Sequence, residues 1–191
     1  MMPNRNHDEL EFVAPAGDHR IEHDSRALER ISGAFVHKLE PRNVLLAKLE
    51  RASDDAELFE AELVADWTHP FFFEHLLDHI PSMMLVEAGR QTAIAICHRF
   101  FDVPFGAVFI TRSYDIRFTD FGEVSVDDPV RIRAKVRDKQ VRRGRLVALR
   151  VEGEFVQAGR SLGQMEGGLT VFTRETYVRL RRMHDRKRRS V

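Results

Sequence analysis

PSMMLVEAGRQTAIAICHRFF, residues 81–101, is the stretch on which the fold turns. Pro81 suits the first turn of a helix, where its missing N–H costs nothing, and no breaker follows until Asp102 and Pro104. Met83, Met84, Leu85, Val86, Ala88, Ala93, Ile94, Ala95, Ile96 and Phe100 cannot share one stripe of a surface helix. A helix apolar over most of its circumference must be enclosed by other structure. Glu87, Arg90 and Gln91 interrupt it at spacings of three and four, so they share one face and can reach one another.

On both sides of this helix the pattern is that of strands. VLLAKL (44–49), the polar turn ASDDA and LFEAELVAD (58–66) read as a hairpin. After the loop DVPFG come FITRSYDIRF, then VRIRAKV, in which Val130, Ile132, Ala134 and Val136 alternate with Arg131, Arg133, Lys135 and Arg137. A turn at Gly144 leads into LVALRVEGEFV, and GQMEGGLTVF follows, its paired glycines predicting a bulge or strong bend. Two strands, one enclosed helix and four strands give an α+β architecture, an antiparallel sheet wrapped around one long central helix. That is the hot-dog fold. The expected division is a partly ordered leader over 1–32, the hot-dog domain over 33–175 and a basic tail over 176–191, read as a short fraying helix.

Composition limits the partners and the compartment. With 191 residues, 43% hydrophobic and 31% charged, one globular domain is the expectation. Cys97 is the only cysteine, so no intrachain disulfide forms, and a buried, inert thiol is its expected state. No signal-peptide core or membrane-length apolar run is present, and a cytoplasmic protein is expected. Net charge is zero, yet residues 1–66 hold 15 acidic and 8 basic groups and residues 131–191 hold 18 basic and 6 acidic. The C-terminal half could attract an acidic partner, or could be a solvated strand face with a tail. No helix-turn-helix pattern precedes the domain, so nucleic acid is not the expected partner.

HPFFFEHLLDHIPSMMLVEAGRQTA (69–93), with VHKLEPRNVLL (36–46) before it and DVPFGAVFI (102–110) after it, resembles the A-factor biosynthesis (AfsA) hot-dog family, the motifs falling in the family's order over roughly residues 33–173. The resemblance implies an acyltransferase that moves a β-ketoacyl group from an acyl-carrier-protein thioester to the hydroxyl of dihydroxyacetone phosphate, toward γ-butyrolactone signals. The acyl group would ride on the carrier's phosphopantetheine, and no other cofactor is implied. Family members resemble two hot-dog repeats in one chain; a single unit here implies a homodimeric double hot-dog. A more distant similarity reaches the β-hydroxyacyl-carrier dehydratases and thioesterases, which act on acyl-carrier or acyl-CoA thioesters; these are the alternative activities, and a non-catalytic acyl-ligand sensor is a third.

Against that resemblance, Glu87 matches the helix acid by its place after PSMMLV, and His69, which opens the motif, is the expected loop histidine. His75 and His79 compete for that place, and His79 is counted with the substrate-binding residues. An acyl transfer needs a base for the hydroxyl and donors for the oxyanion. Enclosure in an apolar helix predicts a raised pKa for Glu87, as a base requires; the same carboxylate could instead serve only to satisfy Arg90. Arg90 could hold the acceptor's phosphate or orient Glu87, and Gln91 is expected to hydrogen-bond the loop. The N–H groups of Ser82 and Met83 start the helix and suit an oxyanion, unless Asp78 caps them. The loop histidines lack a metal-ligand spacing, and no metal is expected.

Overall fold

The computed structural model describes residues 28–75, 77–124 and 127–189. Most of the expected leader therefore lies outside the described residues. Strands β1 (Leu46–Arg51) and β2 (Leu58–Leu63) precede helix α1 (Ser82–Phe100); β3 (Val108–Phe118), β4 (Arg131–Arg142), β5 (Arg145–Gln157), β6 (Arg160–Phe172) and helix α2 (Arg174–Arg189) follow. The strands form one antiparallel sheet in the order β1-β2-β4-β5-β6-β3.

The alternation read in VRIRAKV is the alternation observed. Val130, Ile132, Ala134 and Val136 are buried, while Arg131, Arg133 and Arg137 face out. That period of two gives the sheet one apolar face, and Phe59, Phe155 and Leu162 stand on it without exposed surface. Two-residue turns at Arg143-Gly144 and Ala158-Gly159 close the β4–β5 and β5–β6 hairpins, both residues of each having positive φ; that backbone matches the twist of the flanking strands. The glycine pair in β6 does accompany a bulge, but the extra residue sits on the partner strand, where the register slips between Thr111 and Ser113 opposite Leu169 and Gly168.

Helix α1 lies against the apolar face. From Met84 to His98 it is largely enclosed, Ala88, Thr92, Ala95, Ile96 and Cys97 having no accessible surface. Its start differs from the expectation in two ways. Pro81 caps the helix from outside it, and Met83 is exposed, so enclosure begins one residue later. The segment before β1 crosses the helix: Gly33–Val36 and Pro41–Asn43 form single 3₁₀ turns whose flanking residues bond to α1. Ile31 N–H donates to the Leu46 carbonyl at 2.9 Å, so the ordered edge of β1 is extended from before residue 33. Burial pushes the Cys97 thiol up to about 12, consistent with an inert core residue.

The outer face of the sheet is an ion-pair lattice rather than a bare basic surface. Arg133 pairs with Glu60, Lys135 with Asp55, Arg137 with Glu152, Lys139 with Glu57, and Arg150 with both Asp138 and Glu166. Each such exposed pair contributes little to stability, but together they offset most of the charge excess of β4 and β5. Exposed arginines remain at the β4–β5 turn, Arg142, Arg143 and Arg145, and on α2, among them Arg179, Arg181 and Arg182. Among the described residues no helix is long and apolar enough to cross a membrane.

Strand β3 closes against β6 at a point where no side chain fits. A Cβ on Gly163 would stand 2.6 Å from the Arg117 carbonyl oxygen and 3.0 Å from the Phe118 Cα, both backbone atoms of the paired strand. Gly163→Ala must therefore push β3 away from β6, and an over-packing loss of about 1–3 kcal/mol is expected. The midpoint of urea unfolding measures it.

Candidate active site

Glu87, Arg90 and Gln91 of α1 meet as their spacing predicts. Arg90 grips the Glu87 carboxylate with two bonds of 2.7 Å, from Nε to Oε2 and from Nη2 to Oε1. Gln91 Nε2 donates to Oε1 at 3.0 Å, and Lys38, from the segment that crosses the helix, places Nζ 2.8 Å from the same oxygen. The bidentate fork of arginine is the strongest of these contacts. Glu87 remains 22% exposed and Lys38 26%, so the cluster sits at a surface cleft rather than in the core.

The raised pKa expected for Glu87 is corrected by this geometry. Burial does push the carboxyl up, but the donors Arg90, Lys38 and Gln91 outweigh it and hold the group at about 2, against an ordinary 4.5. Hydrogen bonds to the charged form favour that form. A carboxylate bound lower in the folded than in the unfolded chain stabilises the fold above pH 4.5, and that contribution is lost as pH falls through 2. The shift corresponds to about 3 kcal/mol. We expect Glu87→Gln to be less stable than the parent by about 2–3 kcal/mol near pH 6, the gap narrowing as pH falls below 4.5. Urea unfolding of both proteins at a series of pH values tests this.

Gln91 ties the carboxylate to the loop, as expected, through backbone as well as side chain. Fully buried, it accepts from the Leu45 N–H at 2.9 Å and donates to the Asn43 carbonyl at 2.8 Å. The Asn43 side chain continues the chain of bonds: its Oδ1 lies 3.0 Å from His69 Nε2. His69 Nδ1 accepts from the Phe71 and Phe72 N–H groups at 3.2 and 3.4 Å, which assigns the ring proton to Nε2, donating to Asn43. Burial lowers the His69 pKa, with Asp66 opposing and Arg30 and Arg42 reinforcing, which favours the neutral ring. His69 thus reaches Glu87 through Asn43 and Gln91 rather than directly, and both its ring nitrogens are engaged in holding the loop.

The remaining expected residues lie apart from this network. His75 is exposed, and His79 pairs through Nδ1 with Asp78 at 2.7 Å and packs beside the Phe121 ring. Asp78 is therefore turned toward His79, and α1 has no side-chain cap. Ser82 and Met83 are exposed at the helix start.

Five residues around the site were not foreseen. Lys38 and Asn43 are brought to α1 from 49 and 48 residues before their partners Glu87 and Gln91, a separation no helical or strand period encodes. His37 meets His98 through their Nε2 atoms at 2.9 Å, and His98 Nδ1 donates to the Val103 carbonyl at 2.6 Å. Tyr114, on β3, donates its hydroxyl to the Val86 carbonyl at 2.8 Å, and burial first, then the Glu87 charge, pushes its pKa well up. The one available signal was VHKLEPRN, whose polar residues fall within a family motif. Beside Arg90 a cavity of about 90 Å³ opens between α1 and strands β3, β5 and β6.

One buried helix, a six-stranded antiparallel sheet curled against it and a carboxylate in the helix's first half define a hot-dog domain. More narrowly, the chain belongs to the AfsA family, whose A-factor biosynthesis hotdog domain matches residues 19–173. Over 66 residues it is 36% identical to the 2-oxo-3-(phosphooxy)propyl 3-oxoalkanoate synthase of Streptomyces virginiae; that stretch is 35% of this chain and 20% of the relative, so the match spans about a fifth of that protein. Among solved structures, the dehydratase heterocomplex ApeI:P of Xenorhabdus doucetiae aligns with a TM-score of 0.55 at 14% identity, over 74% of this chain and 91% of its own. A variant of the HP0420 homologue from Helicobacter felis aligns at 0.52 and 13% identity, over 76% of this chain and 88% of its own. At these identities the likeness is one of fold alone.

Proposed function

We propose that this chain is an acyltransferase that takes a β-ketoacyl group from a carrier-protein thioester and places it on a hydroxyl of a phosphorylated triose such as dihydroxyacetone phosphate. Membership of the AfsA family supports the reaction class. The observation that carries the reading is the Glu87 carboxylate held between Lys38 and Arg90, with Arg90 also lining an apolar cavity.

A carboxylate held at about 2 is a poor base. A phosphorylated acceptor changes that, because its dianion competes for the same two cations. Each donor that the phosphate draws from Glu87 lets the carboxyl rise toward its ordinary range of about 4. The freed carboxylate then takes the proton of the acceptor hydroxyl as its oxygen attacks the thioester carbonyl carbon. The C–S bond breaks, and the proton passes to the departing phosphopantetheine thiolate, leaving an ester and a free carrier thiol. The N–H groups of Ser82 and Met83 at the start of α1 are our candidates for the oxyanion. His69 positions the loop, and His79 is kept as a candidate substrate contact outside this network.

The working unit we propose is residues 33–175, as a homodimer. Strand β3 is an edge of 11 residues, exposed over most of its length. Long unpaired edges invite a partner strand, and a second copy would complete the cleft beside α1. Basic α2 suits an acidic carrier protein. Mass spectrometry of the protein incubated with β-ketoacyl-carrier thioester, with and without dihydroxyacetone phosphate, tests the reaction. A phosphorylated ester formed only with the triose supports it. Free acid released regardless of the triose shows a thioesterase instead.

A further inference from the structure

The wall of the cavity beside Arg90 includes the unbranched side chain of Met165. Gly89, Arg90 and Ala93 face it from α1, and Tyr114, Met165 and Leu169 from the sheet. Gly89 and Ala93 are one helical turn apart, so the cavity runs along the helix. Its walls are apolar apart from Arg90, Thr111 and the Tyr114 hydroxyl, which is already bonded to the Val86 carbonyl. An apolar hollow lined at one side by Arg90, the partner of Glu87, suits a ligand with a polar reacting end and a hydrocarbon tail.

Met165 lies in a slot made for it by two glycines from opposite sides. A Cβ on Gly89 of α1 would stand 2.4 Å from its Sδ. A Cβ on Gly153, its pairing partner on β5, would stand 2.4 Å from its Cε and 2.9 Å from its Cγ. The methionine is 5% exposed, and its sulfur lies 3.6 Å from the Tyr114 hydroxyl. Any residue larger than glycine at either position would evict it, so the side chain that limits the cavity is fixed by the helix and the sheet together.

We infer that this cavity takes the acyl chain of the thioester and that Met165 sets its length limit. The inference rests on the thioester reading above. Met165, held between Gly89 and Gly153, is the wall that the end of such a chain would meet. Shortening Met165 to alanine removes Cγ, Sδ and Cε and joins the space between Gly89 and Gly153 to the cavity.

Thioethers of N-acetylcysteamine with straight alkyl chains from ethyl to dodecyl test this by calorimetric titration. They cannot be transferred or hydrolysed, so binding is read without turnover. Each buried CH₂ strengthens binding about fourfold, or about 0.8 kcal/mol. In the parent protein the gain should stop at a defined chain length; in Met165→Ala it should continue for about two or three carbons more. Ala93→Val, which fills the cavity from the helix side, should stop it earlier, and keeps the test open if the first variant fails to fold. A limit at the same length in the parent and the folded variants, or none up to dodecyl, overturns the role of Met165 and leaves the thioester reading standing. Binding of no analogue to any of the proteins removes both.

Discussion

Glu87→Gln is expected to lower ester formation by about 10²–10⁴-fold, the range for losing a positioned acid–base group, while the chain still folds. Glutamine keeps the length of the side chain but cannot take up a proton. Its amide also turns a donor toward Arg90, Lys38 and Gln91, all of which are donors in the native cluster. A companion variant separates base from bystander. Lys38→Met removes one of the donors that hold Glu87 at about 2, so the carboxyl should titrate higher. The acid limb of the kcat profile should then move to higher pH in Lys38→Met and vanish in Glu87→Gln. Circular dichroism shows whether each variant is folded. Activity within a factor of a few of the parent in Glu87→Gln would remove this residue from the chemistry.

Gln91→Leu should produce the largest loss of stability. The side chain is fully buried and satisfies two backbone groups of the crossing segment, the Leu45 N–H and the Asn43 carbonyl. Leucine fits the space and abandons both. An unsatisfied buried polar group costs about 1–3 kcal/mol, so about 3–5 kcal/mol is expected, a large part of a typical 5–15 kcal/mol. Because Asn43 also holds His69, the loop that follows β2 should loosen too. Faster amide exchange at Phe71 and Phe72, whose N–H groups His69 accepts, reads that second effect. A loss under about 1 kcal/mol would show that water replaces both bonds.

What could be read from the sequence, and what could not, divides by distance along the chain. Helix α1 and the strands were legible because their signals are local: an apolar run without a breaker, and a period of two in VRIRAKV. The Glu87–Arg90–Gln91 face was legible for the same reason, since spacings of three and four fix neighbours on a helix. The ionisation of Glu87 was not. Counting apolar neighbours predicted burial correctly, but the direction of the shift was decided by donors including Lys38, which the segment before β1 carries across the helix. His69 shows the same limit, because its second nitrogen is taken by Asn43, 26 residues earlier. The basic strands could not be seen as neutralised until the register was known. Glu60 stands directly opposite Arg133, whereas Arg137 faces Arg150 and each turns to a nearby acid instead.

The proposed reaction requires α1 to present Glu87 to a thioester whose acyl chain enters the cavity between that helix and strands β3, β5 and β6. A crystal structure of the protein with a short-chain thioether analogue measures this directly. The sulfur should lie beside the Glu87 carboxylate and Arg90, with the alkyl group running along Gly89 and Ala93. An analogue bound away from α1, or a second copy packed over Glu87 so that no cleft reaches it, would contradict the account.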